Sequence, residues 1–209
     1  MSQSLLETEE AIGRAGALVR AGEIIVFLTD TLYGLGADAT NDAAVARVFS
    51  IKGRPDSKPL LVLVRDLAEA ARCGHIEGTA RRLAERFWPG PLTLVVERAA
   101  SGPLARDLNP QGTTIGLRVP ARAMTRRLID VADRPLTAPS ANRSGETPVH
   151  DAAEALATFG SHVALVLDGG TSAPLPSTIV AWVDGRLSLQ REGAISRAAI
   201  EAVGGAVAN

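Results

Sequence analysis

Little in this chain of 209 residues could cross-link, anchor or redox-activate it. A single cysteine, Cys73, excludes a disulfide framework and a multi-cysteine zinc site. Aromatics are 3% of residues, which leaves few rings on which an RNA module could stack bases. No apolar run approaches the ~20 residues a membrane helix needs. The N-terminus, MSQSLLETEE, has neither a basic n-region nor an apolar h-region, so a reducing cytoplasm is the expected compartment. Excess positive charge is missing too. The net charge of −1 gives no footprint for wrapping nucleic acid. Lysine is nearly absent: of 22 basic residues only Lys52 and Lys58 are lysines, both inside KGRPDSKP. An ammonium is a compact point charge and a guanidinium a planar fork, so that placement draws notice. The familiar catalytic signatures are also lacking. There is no GxxxxGK[ST], no third glycine after Gly34-Leu35-Gly36, and no HExxH, CxxC or GxSxG. His75, His150 and His162 stand alone. With no nucleophile–base pair, chemistry here would work by positioning and electrostatics.

What is present is an ordinary globular composition, 46% hydrophobic and 22% charged. No repeat or dividing linker interrupts it, so residues 1–209 are read as one domain. Periodicity predicts helices over 4–21, 41–51, 79–88, 121–132, 151–159 and 196–203. Short apolar runs predict strands over 24–29, 60–64, 92–97, 114–119 and 163–167. Asp184-Gly185 marks a hairpin between 178–183 and 186–190. The alternation implies an α/β fold, an open sheet covered by helices, mostly parallel with some antiparallel pairing.

Three polar clusters sit at strand ends or in loops, where function concentrates. TDTLYGLGA (29–37) offers hydroxyls and glycines, and reads as a ligand turn or as a turn packed by Tyr33. KGRPDSKP (52–59) reads as a polyphosphate clamp or as a solvated basic loop. SANRSG (140–145) offers donors for phosphate or ribose, or an Asx turn.

Taken in order, TDTLYGLGAD, KGRP, TIGLRVP, SANRSG, DGG with PSTIV, and LQREGAIS resemble the YrdC-like family. Its well-described members are threonylcarbamoyladenylate synthases, here in single-domain form. The resemblance runs from about Ala21 to Ser196. It implies a YrdC-like twisted open mixed sheet with flanking helices and a concave, locally basic substrate cleft. It implies a nucleotidyltransferase that makes threonylcarbamoyl-AMP and pyrophosphate from L-threonine, bicarbonate or CO2, and ATP with Mg2+. It implies a role in threonylcarbamoyladenosine modification of tRNA, a tRNA contact, and a downstream threonylcarbamoyl transferase complex. No membrane is involved.

The resemblance also assigns residues. Lys52, Arg54, Ser140 and Asn142 form the KxR/SxN tetrad, taken as catalytic and as ATP contacts. Lys58, Thr114 and Arg191 are further ATP contacts. Thr31, Arg118, Thr178 and neighbouring Ser177 are L-threonine contacts, with Arg118 on the carboxylate. No residue is assigned to a metal. The chain departs from the pattern at Leu28, Leu63 and Ala138, where relatives carry proline, histidine and a hydroxyl residue. Two other readings stay open: a non-catalytic RNA-binding module, and a carbamoyl-adenylate-forming enzyme using carbamoyl phosphate.

Overall fold

The computed structural model describes residues 3–53 and 59–208. Arg54 and Lys58 therefore lie outside the described residues. In chain order the elements are β1 (Gln3–Leu6), α1 (Glu9–Arg20), β2 (Ile25–Leu28), β3 (Tyr33–Gly36), α2 (Asp42–Lys52) and β4 (Leu61–Leu63). Then come α3 (Leu67–Cys73), α4 (Gly78–Phe87), β5 (Leu92–Glu97), a 3-10 turn (Arg106–Leu108), β6 (Thr114–Arg118), α5 (Ala123–Ala132) and β7 (Leu136–Thr137). The chain finishes with α6 (Ala152–Phe159), β8 (Leu165–Asp168), β9 (Thr178–Val183), β10 (Arg186–Arg191) and α7 (Arg197–Gly204).

The strands form two mixed sheets rather than one. One runs β1-β8-β2-β3, the other β10-β9-β5-β6-β4-β7. Among the described residues pairing is evenly divided, four parallel and four antiparallel strand pairs, so the expectation of a mostly parallel sheet is corrected. The sheets meet at a seam between β3 and β7. Single bridges pair Gly34 with Ser140 and Asp38 with Leu136. The Thr137 hydroxyl donates to Leu35 O (2.9 Å) and accepts from the Ala37 amide (3.0 Å).

Local chemistry explains most elements. Thr8 caps α1 by accepting from the Ala11 amide, and Ile12, Ala15 and Val19 form its buried stripe. A Cβ on Gly16 would stand 2.8 Å from Val131 Cγ1, so this glycine lets α1 lie close against α5. Asn41, Asp66, Asp151 and Ser196 cap α2, α3, α6 and α7 in the same way. Asp184 and Gly185 take φ of 51° and 69°, the two left-handed residues a tight hairpin turn needs. One expectation fails and two elements are additional: the helix predicted over 4–21 begins only at Glu9, with Gln3–Leu6 an edge strand parallel to β8, while β3 and α3 lie where no element is predicted. Two apolar cores result, the larger around β4, β5 and β6 and the smaller between α1, α5 and β2.

Candidate active site

The site begins where β2 ends and the chain reverses into β3. Thr29 Oγ1 accepts the amides of Thr31 (3.1 Å) and Leu32 (3.2 Å) and donates to Leu32 O (2.8 Å). This knits a four-residue turn that projects Asp30 and Thr31 toward the end of β6. There Arg118 is only 2% exposed. Its Nη1 donates to Thr31 Oγ1 (3.0 Å) and its Nη2 pairs with Asp30 Oδ1. Burial pulls the Arg118 guanidinium below its ordinary range, and the adjacent Asp30 opposes that shift. Arg118 Nε and Asp30 Oδ2 are buried without a hydrogen-bond partner.

A second guanidinium arrives from the end of β10. Arg191 donates through Nε and Nη2 to Ser177 O (3.2 and 2.9 Å) and through Nη2 to Ser177 Oγ (3.2 Å). Burial lowers its pKa, and the positive charge of Arg118 lowers it further. Ser177 Oγ lies 2.9 Å from Thr93 Oγ1 on β5. A Cβ on Gly193 would sit 2.3 Å from Pro176 O, so glycine is required where the chain after β10 crosses the 176–177 segment.

Between these groups lies a cavity of ≈160 Å³. Thr29, Thr31, Tyr33, Thr93, Arg118, Ser140, Ser177 and Arg191 line it, with Leu61, Ala138, Pro176 and Ile179 as apolar walls. Sites for drug-sized ligands run to roughly 300–1,000 Å³, so the space bounded by the described residues suits a small polar molecule. Among the described residues its lining carries two cations and no carboxylate, and with Asp30 set against Arg118 from outside the lining, the charge of Arg191 still favours an anionic ligand.

The SxN turn borders the cavity and is held from below. Lys52, the last residue of α2 and 1% exposed, donates to Ser140 O, Asn142 O (2.8 Å) and Asn142 Oδ1 (3.2 Å). Ser140 Oγ donates to Asn142 Oδ1 (2.5 Å), and Asn142 Nδ2 donates to Arg143 O and Glu146 O (2.8 Å each). Leu35 N to Pro139 O (3.0 Å) and Ala141 N to Tyr33 O (2.8 Å) fasten this turn to β3. Tyr33 in turn donates its phenol proton to Gly170 O (2.6 Å). Burial raises the Tyr33 pKa, against a weaker opposing bond from the Gly169 amide.

Thr31, Arg118, Ser140, Ser177 and Arg191 thus come together around one cavity. Lys52 and Asn142 sit behind the Ser140 turn. Two sequence-predicted contacts stand elsewhere. The Thr178 hydroxyl, fully buried, donates to Ile195 O (2.6 Å) and accepts from Gly193 N (3.0 Å) and Ile195 N (2.9 Å). Successive strand residues face opposite ways, so Ser177 faces the cavity and Thr178 turns from it. Thr114 is at the far end of β6, ~13 Å from Arg118 at strand rise, against Asn109 Nδ2 (3.3 Å). Thr93 falls outside every candidate cluster, and Thr29 and Asp30 lie inside one without a role assigned to them singly. The latter two share the TDT motif with Thr31 and were findable there. Thr93 looks like any polar residue on the alternating LTLVVE strand.

Comparison with known proteins gives a consistent result. The Sua5/YciO/YrdC family profile, described as "Telomere recombination", matches residues 17–193. The threonylcarbamoyl-AMP synthase of Pyrococcus abyssi is 36% identical over 198 residues, 92% of this chain and 57% of that protein. The enzyme of the same name from Bacillus subtilis is 35% identical over 214 residues, 99% of this chain and 60% of that protein. The chain therefore spans about three fifths of the length of these relatives. The crystal structure of P. abyssi Sua5 complexed with L-threonine has a TM-score of 0.89 at 32% identity, covering 97% of this chain and 60% of that one. With the profile matching most of its length and relatives above 30% identity, this chain belongs to the Sua5/YciO/YrdC family.

Proposed function

We propose that this chain is an L-threonylcarbamoyladenylate synthase. It joins L-threonine, CO2 or bicarbonate, and ATP, and releases pyrophosphate. The observation that carries the reading is the convergence of Arg118 and Arg191 on a small, hydroxyl-lined cavity that, among the described residues, is lined by no carboxylate. Such a cavity suits an amino acid bound by its carboxylate and carrying a second anionic group.

The threonine amine adds to CO2, losing a proton, to give a carbamate. A carbamate oxygen attacks the ATP α-phosphorus in line, and the bond to the β-phosphate oxygen breaks. Displacement of this kind needs placement and charge stabilisation and no enzyme nucleophile. Arg118 holds the threonine carboxylate as a fork. Arg191 faces the nucleotide side, and Ser177 and Thr93 line the wall between. Ser140 and Asn142, held by Lys52, meet the nucleotide, and Arg54 and Lys58 serve the triphosphate. Thr178 and Thr114 support the frame. Among the described residues no set of three His, Cys, Asp or Glu side chains converges on a metal position. The Mg2+ expected with ATP would enter with the nucleotide and supply charge neutralisation on its phosphates, and no step is derived through a protein-held metal. The product would be consumed by a threonylcarbamoyl transferase complex acting on tRNA.

The test is pyrophosphate release from Mg-ATP with threonine and bicarbonate added singly and together, with the product weighed by mass spectrometry. Release that needs both, with a threonylcarbamoyl-AMP mass, is the expected result. Release that needs carbamoyl phosphate in place of both would assign the chain to carbamoyl adenylate formation. RNA binding with steep salt dependence and no turnover would make it an RNA module.

A further inference from the structure

Thr29 lies outside the residues assigned to either substrate, yet its hydroxyl is the hub of the turn that bears Thr31. Hydrogen-bond accounting gives it a role. A hydroxyl oxygen has two lone pairs and one proton. Both lone pairs of Thr29 Oγ1 are taken by backbone amides, those of Thr31 (3.1 Å) and Leu32 (3.2 Å). Its proton has a carbonyl acceptor, Leu32 O, at 2.8 Å. The Thr31 hydroxyl, 3.1 Å away, consequently finds no lone pair on Thr29 for its own proton. Thr31 Oγ1 already accepts from Arg118 Nη1 (3.0 Å). Its proton is left for whatever occupies the cavity.

We propose that Thr29 is a positioning residue that commits the Thr31 hydroxyl to donate into the cavity, so that Thr31 and Arg118 together bind an anionic substrate oxygen. This rests on the functional reading above and sharpens it. Thr31 then holds the carboxylate or carbamate end of threonine and does not read its side-chain hydroxyl. Choice of threonine over valine falls to other groups in the cavity. Were Thr31 an acceptor for the threonine hydroxyl, its loss would erase that choice, because a site built around a hydroxyl rejects the analogue lacking it.

The experiment uses steady-state pyrophosphate release by the full chain with L-threonine, L-serine and L-valine as amino acid, and ATP varied separately. Thr29→Val keeps the side-chain volume and removes the hydroxyl, and Thr29→Ser returns it. Thr29→Val is expected to raise the threonine KM about ten-fold, the size of one lost hydrogen bond, with the ATP KM nearly unchanged. Thr29→Ser is expected to recover most of that loss. Thr31→Val should raise the KM for all three amino acids by a similar factor and leave the threonine-to-valine ratio of kcat/KM where it was. That variant keeps the inference testable should Thr29→Val fold poorly. A collapse of the ratio in Thr31→Val, or a Thr29→Val enzyme with wild-type threonine KM, overturns the inference while leaving the synthase reading intact. A well-folded wild type with no threonine-dependent release overturns the synthase reading, and this inference with it.

Discussion

Replacing Arg118 by alanine has two separable consequences. The guanidinium is 2% exposed and is the ion-pair partner of Asp30, whose side chain is 12% exposed. Removing it strands a carboxylate that is mostly shut off from water, and breaking such a pair destabilises by about 3–5 kcal/mol. For a domain of this size that lowers Tm by about 6–20 °C. The second consequence is in binding. Loss of charge-assisted hydrogen bonds to a carboxylate, at about 1.5–3 kcal/mol, raises the threonine KM by roughly 10–150-fold. A second substitution, Asp30→Asn, removes the stranded charge. The double variant should regain much of the lost Tm while its threonine KM stays high. Thermal unfolding reads the first effect and initial rates of pyrophosphate release, with threonine and ATP varied in turn, read the second. An equal rise in both KM values would refute the assignment of Arg118 to threonine. Recovery of the threonine KM in the double variant would show that Arg118 acted only through fold stability.

Lys52→Met removes the ammonium that donates to the 140–142 turn; a stability loss on the order of 3 kcal/mol with a raised ATP KM is expected from denaturant titration and kinetics. Gly193→Ala drives a methyl to 2.3 Å from Pro176 O and should displace Arg191 from Ser177, read as a raised ATP KM with a lowered Tm. Tyr33 is the sole tyrosine, so phenolate absorbance titrates it alone. Its pKa is raised in the folded state, so its contribution to stability is complete below the ordinary phenol range near 10 and is lost as pH climbs through the higher folded value. The absorbance midpoint should therefore fall from above 10 to the ordinary value on denaturation, and Tyr33→Phe should lose that part of the alkaline instability. The Cys73 thiol is buried and pushed up to about 11, chiefly by burial. It should resist thiol reagents at neutral pH until the protein is unfolded.

The strands with continuous branched runs were legible, and β5 was predicted with its full extent because LTLVVE carries strand propensity and no breaker. β3 was not, because YGLG has two glycines and its order comes from pairing with β2. The Ser4–Glu7 spacing mimics a capping box. The true cap is Thr8, and residues 3–6 are drawn out of the helix by pairing with β8, 162 residues away in sequence, which no local pattern reports. The site divides in the same manner. Motif residues at strand ends converge, as Arg118, Ser140 and Arg191 do. Which of Ser177 and Thr178 faces the cavity depends on the register of β9 against β5, where Thr178 opposes Leu92, and sequence spacing does not fix that. The Lys52 ammonium donates to the turn that carries Ser140 and Asn142, an attachment across 88–90 residues of sequence that its place in KGRP does not report.

The seam between the two sheets is carried by two isolated bridges and by four backbone hydrogen bonds, Ala39 N to Pro135 O, Thr137 N to Ala37 O, Leu35 N to Pro139 O and Ala141 N to Tyr33 O, and any parting of the sheets would have to break these. Thr31 belongs to the turn of one sheet, while Arg118 ends a strand of the other and Ser140 follows one. Anything bound between them acts as a clasp across the joint. Occupancy and closure are then one equilibrium, and the bound state should slow solvent exchange of the Leu35 and Ala141 amides while exchange along β5 stays where it was.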